Sequence, residues 1–172
     1  MLVDFTGFAG DCLLSGRLDL RADRLTDQLN AEPEVHLVDV TLEGLLDGRQ
    51  VVTPTFTIRR SELCAVKAGP PRGSRSHWTP TEPHRLQAQL GPYTVLGRLH
   101  APPGTEALAT LEQREVMVPL TDATIAYVIA GLLEVRDCPT LIINRELASW
   151  LRDAEADPVG PLMLMHAQTT KG

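Results

Sequence analysis

The tripeptide Gly-Arg-Leu stands at residues 16–18 in "GRLDL" and again at 97–99 in "GRLHA", 81 positions further on. Other matches around it keep their order. Gly10 falls on Gly91 at the same offset, Leu37-x-Asp39-x-Thr41 on Leu120-x-Asp122-x-Thr124 at an offset of 83, and Ile58 with Glu62-Leu63 on Ile142 with Glu146-Leu147 at 84. The offset grows by only three residues, and each step falls in an expected loop or turn. An ordered correspondence of this kind is the mark of a duplicated unit, so the chain is expected to fold as two similar halves.

Between the matching stretches lies "KAGPPRGSRSHWTPTEPH", residues 67–84, with four prolines and two glycines. Proline has no amide donor and fixes its own backbone, so this stretch cannot supply a continuous helix or ladder. It reads as a linker. The expected organisation is a first repeat at 1–67, a linker at 68–84, a second repeat at 85–156 and a tail at 157–172.

Each half then reads as mainly β with one short helical insert. In the first, "LVDFTGFAG", "DCLLSGRLDL", "EVHLVDVTLEGLL", "VVTPTFTIRR" and "ELCAVKA" carry the clusters of Val, Ile, Thr and Phe bounded by turn residues that strands favour. "RLTDQLN" is the helical insert, and "DG" at 47–48 is expected to make a two-residue hairpin turn. In the second, "HRLQAQL", "PYTVLGRLHA" and "EVMVPLTDAT" are strands and "TEALATLEQ" the insert. Residues 125–133 and 146–156 fit a strand or a helix equally, because periodicity alone does not separate a short buried strand from a short helix.

The segments "RLTDQLN" (24–30) and "VHLVDV" (35–40), with "VMVPLTDAT" (116–124) in the second half, resemble the "RLSDFLN" and "FLPLTDV" segments of certain uncharacterised bacterial proteins. The second half departs from that pattern, since "TEALATLEQ" takes the place of the first insert. The resemblance covers most of both halves and implies a tandem of small five-stranded barrels of the SH3 and Sm-like kind. It implies a fold, not an activity.

With 43% hydrophobic, 22% charged and 4% aromatic residues, the chain is expected to be globular with a core of Leu, Val, Ile and Ala. The net charge of -6 argues against a general nucleic-acid coat, yet Arg59 to His100 holds seven basic residues against two acidic ones. Three well-separated cysteines fit a reducing compartment better than a disulfide framework, and no run of 18 apolar residues occurs. A cytoplasmic protein without a membrane segment is expected.

Gly16 and Gly97 sit in mid-strand, where glycine is unfavourable unless the backbone bends or a neighbour approaches closely. Asp39 and Asp122 recur at matching places and are expected to hydrogen-bond a loop or mark a bulge. Cys12, Cys64 and Cys138 read as small buried hydrophobes, and no nucleophile elbow accompanies them. The histidines 36, 77, 84, 100 and 166 lack metal-ligand spacing. No catalytic residue, metal or cofactor is therefore expected.

Arg59, Arg60, Arg72, Arg75 and Trp78 form the strongest local feature, because arginines beside a stacking aromatic are the ingredients of an anion or nucleotide site. The Arg-Arg-Ser run resembles that of cyclic-dinucleotide-binding barrels, but the Asp-x-Ser-x-x-Gly element such domains carry is missing. In the matching "INRE" (143–146), one of the two arginines is lost. The expected function is non-catalytic binding or scaffolding through protein contacts, with a homo-oligomer or a protein partner covering exposed strand edges. The alternative is a regulatory binder of a nucleotide or nucleic acid that uses the basic centre.

Overall fold

A computed structural model describes residues 1–69 and 80–154. In chain order these form β1 (Leu2–Ala9), β2 (Cys12–Asp19), α1 (Leu25–Ala31), β3 (Glu34–Gly44), β4 (Gln50–Arg59) and β5 (Leu63–Ala68). After the linker come β6 (Glu82–Leu90), β7 (Tyr93–Ala101), α2 (Ala107–Glu112), β8 (Met117–Ile129), β9 (Leu132–Asn144) and β10 (Ala148–Asp153). A 3-10 turn precedes each closing strand, at Arg60–Glu62 and at Arg145–Leu147. The fold is mainly β. The first stretch left open between strand and helix forms a β8–β9 hairpin whose two-residue loop places Ala130 and Gly131 at positive φ, and the second runs from the end of the 3-10 turn into the strand β10.

The helices are short, and each buries one narrow stripe. Leu29 in α1, and Ala107 with Leu111 in α2, turn inward at helical spacing. α1 stops at Glu32, next to Pro33, where the ring disfavours helical backbone in the preceding residue.

All ten strands belong to one antiparallel sheet in the order β10-β6-β7-β8-β9-β5-β1-β2-β3-β4. Each half contributes five neighbours with the last strand beside the first, and the halves meet where β5 pairs with β9. The registers of the halves match position by position. Gly16 is the residue skipped where β2 meets β3, and Gly97 is skipped where β7 meets β8. Facing them, Asp39 and Asp122 hold positive φ of 51° and 45°. Pro54 and Pro139 stand in the next strand opposite those aspartates, between the pairs Val38↔Thr55 and Val40↔Thr53, and Thr121↔Thr140 and Ala123↔Cys138.

That register moves the last part of the expected alignment by one residue. Ile58 pairs with Val35 and Ile143 with Val118, so Ile58 corresponds to Ile143, not Ile142, and Arg60 to Arg145. The offset in this region is 85, and Glu62-Leu63 no longer faces Glu146-Leu147. Because strand side chains alternate faces, a one-residue slip would have placed inward residues of one half over outward residues of the other.

Three further expectations are corrected. The barrels do not close: β5 and β9 spend on each other the edges that β4 and β10 would need, so the ladder stays open at β4 and β10. The β3–β4 connection is not a two-residue turn but a five-residue loop at 45–49, tied by the Gly44 amide to the Arg49 carbonyl and the Gly48 amide to the Gly44 carbonyl. The linker is shorter than expected, because Glu82, Pro83 and His84 pair with Ala101, His100 and Leu99. Pro83 is tolerated there because β10 reaches only as far as Leu86, leaving no second partner for the missing amide.

Two cores lie along the sheet. One gathers β6 to β9 with Phe8, Leu13, Leu45, Cys64 and Ala65 from the first half; the other gathers the first half with Met117 and Ile142 from the second. Both tyrosines and one of the three phenylalanines meet in a single edge-to-face cluster of Phe8, Tyr93 and Tyr127, with centroids 5.5 to 5.9 Å apart. The Tyr93 hydroxyl donates to the Ala9 carbonyl across the junction.

Candidate functional site

Two surfaces near the junction of the halves are open to solvent. The first is the place where β4 gives way to its 3-10 turn. Pro33, Glu34, Arg59, Arg60, Ser61, Val116, Asn144 and Glu146 line an open cleft of about 230 Å³ there. Arg59 is exposed at its rim. Arg60 is turned inward: its Nη1 donates to the Leu29 carbonyl at 3.2 Å and the Asn30 carbonyl at 2.7 Å, satisfying the orphan carbonyls at the end of α1.

Arg145 braces the loop that follows α2, its Nε donating to the Arg114 and Glu115 carbonyls at 2.9 and 3.1 Å. The arginine expected to be lost from the second half is Arg59, which gives way to Asn144. Of the five residues singled out as an anion site, Arg59 and Arg60 are neighbours in this cleft, while Arg72, Arg75 and Trp78 lie outside the described residues. Glu34 and Glu146 stand on the same walls and oppose an anion electrostatically.

Two asparagines tie this region together, and sequence reasoning gave neither a role. Asn30 Nδ2 donates to the Met117 carbonyl and its Oδ1 accepts from the Met117 amide, both at 3.0 Å, so a helix side chain extends the β8 ladder. Buried Asn144 donates from Nδ2 to the Arg60 carbonyl and accepts the Glu146 amide at Oδ1. The signal that locates the second half of the network is the pair "PTFTI" (54–58) and "PTLII" (139–143), which carries the true offset of 85.

The second surface is apolar. The β3–β4 loop touches the tip of the β8–β9 hairpin, where the Ala130 amide donates to the Leu45 carbonyl at 2.8 Å. Around that contact Leu46 is 93% exposed, Val52 77% and Leu132 68%, with Val51, Val128 and Val135 also open to solvent. Exposed aliphatic side chains from both halves thus lie near the touching tips, on both faces of the sheet, since the neighbours Val51 and Val52 in β4 point to opposite sides.

Other singled-out residues have structural partners. Arg17 pairs with Asp39, and Arg98 with Asp122 at 3.4 Å. His36 Nδ1 meets the Thr57 hydroxyl at 2.9 Å, and His100 Nε2 the Thr121 hydroxyl at 2.7 Å. All three cysteines are free thiols. Burial pushes the Cys64 thiol up to about 11, and burial with the neighbouring Asp11 carboxylate does the same for Cys12, which keeps both in the unreactive protonated form at neutral pH. Among the described residues no cluster of three or more His, Cys, Asp or Glu could hold a metal ion, and no helix is long and apolar enough to cross a membrane.

No family model, curated protein or solved structure matches this chain.

Proposed function

We propose that this chain is a non-catalytic binding or scaffolding protein, built from two copies of an SH3/Sm-like unit and acting through protein contacts in the cytoplasm. The observation that supports the reading is the set of exposed aliphatic side chains near the touching hairpin tips, Leu46, Val52 and Leu132 being the most exposed. A protein surface of that kind gains free energy when a partner removes it from water, at roughly 25 cal/mol per Å² buried. The two-copy origin is supported by the shared strand order, the matching bulges at Gly16 and Gly97, the aspartates at positive φ and the facing prolines. Each unit has opened because one strand edge is used to hold its sister. Free thiols fit a reducing compartment.

The test is affinity capture from the native host with the wild-type chain and with a Val52→Glu, Leu132→Glu double variant, read by mass spectrometry. Prey recovered with the wild type and depleted at least about tenfold with the variant, which is a loss of about 1.4 kcal/mol, is the expected result. Identical recoveries overturn these side chains as the contact surface.

A second reading, a nucleotide or single-stranded nucleic acid held by the basic centre, draws on the cleft that Arg59, Ser61 and Asn144 share. Salt-dependent binding of a fluorescent oligonucleotide that disappears when Arg59, Arg72 and Arg75 are replaced by Ala would favour it over the first.

A further inference from the structure

The cleft near the junction is built from the same places of the two halves. Pro33 corresponds to Val116 at an offset of 83, and Arg59 and Ser61 correspond to Asn144 and Glu146 at 85, and all of them line it. The backbone repeats the match. The Arg60 amide donates to the Pro33 carbonyl at 2.8 Å, and the Arg145 amide to the Val116 carbonyl at 3.0 Å. Each half thus presents one wall, a 3-10 turn stitched to the residue before its third strand.

The walls are braced against each other. Buried Asn144 holds the Arg60 carbonyl with Nδ2 and the Glu146 amide with Oδ1, and Asn30 ties the end of α1 to Met117 beside Val116. A site whose walls are already fixed loses little freedom when a ligand enters.

Alike in position, the walls differ in chemistry. Glu34 and Arg59 are direct cross-strand partners, so their side chains share a face of the sheet and could have neutralised each other. Among the described residues neither forms an ion pair, and Glu146 forms none. In the second half the places of Glu34 and Arg59 are taken by Met117 and Asn144, both buried and uncharged. The cleft therefore carries one guanidinium at its rim and two carboxylates, with the Ser61 hydroxyl beside them.

A simple anion is repelled there by the carboxylates, and a simple cation by Arg59. A ligand that carries both charges a short distance apart meets an opposite charge at each end. The volume of about 230 Å³ lies below the roughly 300–1,000 Å³ of sites for drug-sized molecules, and Pro33 and Val116 give part of the wall an apolar surface.

We propose that this cleft binds a free α-amino acid with a small aliphatic side chain. Arg59 and Ser61 donate to its carboxylate, the guanidinium through two parallel bonds. Glu34 and Glu146 accept from its ammonium group, and Pro33 and Val116 cover its side chain.

Isothermal titration of the full chain with alanine, valine and leucine tests this, alongside N-acetylvaline, valine amide and a nucleoside monophosphate. At least one of the three amino acids should bind, and blocking the amine or the carboxylate should weaken valine at least about tenfold. Arg59→Gln and Glu146→Gln alter exposed side chains, so both variants should keep the circular dichroism of the wild type while losing affinity by a similar factor. Arg59→Gln should also cease to prefer valine over valine amide, a change that a merely structural role for Arg59 would not produce. Absence of binding by all three amino acids at millimolar concentration overturns the proposal. So does a blocked form that binds as tightly as valine, or wild-type affinity in both variants. A nucleoside monophosphate that binds where the amino acids do not overturns it in favour of the nucleotide reading. The Val52→Glu, Leu132→Glu variant leaves the cleft intact, so amino-acid binding and partner capture stand or fall separately.

Discussion

Gly97 has no room for a side chain. A Cβ placed there would lie 2.9 Å from the Leu120 Cβ and 3.1 Å from the Ala123 Cβ, and at Gly16 it would lie 3.0 Å from the Val38 carbonyl. In both halves the partner strand bulges toward the glycine through an aspartate at positive φ. Gly97→Ala should therefore cost about 1–3 kcal/mol through forced displacement of packed atoms. Gly10→Ala, which meets nothing within 4 Å, should stay within about 0.5 kcal/mol of wild type. Urea midpoints of the two variants decide the matter, and equal shifts would refute the steric reading. The mid-strand glycines were visible in the sequence because glycine weakens a strand without a reason to be there. The left-handed backbone of Asp39 and Asp122 was not, since it is imposed by pairing with a strand about twenty residues away.

Among the elements, α1 and β8 are joined by a side chain acting as backbone. Asn30 closes a two-bond ring with Met117, and Arg60 braces the same helix end from the other side. Removing the amide leaves the Met117 N–H and carbonyl without their partner, so Asn30→Ala should cost about 1–3 kcal/mol. Hydrogen exchange at the Met117 amide should quicken in that variant while exchange in β2 stays unchanged, and unchanged protection at Met117 would count against the bond. The helix itself was legible from "RLTDQLN", whose Leu25 and Leu29 lie one turn apart. Its last residue drew no attention because a terminal asparagine is common after a helix. What singles Asn30 out is Met117, 87 residues away.

For the molecule as a whole, neither half owns a complete core. Ala65 packs into the cluster of the second half, and Met117 and Ile142 pack into that of the first. The full chain is expected to unfold in one cooperative urea transition. A fragment of residues 1–69 should show none, because it loses the β9 cover over β5 along with those two side chains. Circular dichroism across a urea series tests this, and a fragment with its own sigmoidal transition at the full-length midpoint would overturn it.

The amino-acid sequence by itself determined the mainly β class, the two short helical inserts, the position of most strands and the recurrence of one pattern in both halves. Each of these is written in residues near one another, as clusters of Val, Ile and Thr, as turn residues and as glycines spaced along a strand. Only the tertiary structure decided the open ladder, the β5–β9 seam, the offset of 85 and the meeting of the hairpin tips. Strand edges look alike in sequence, because pairing is made by backbone groups that every residue but proline carries. Which edge takes which neighbour depends on the three-dimensional path of the whole chain.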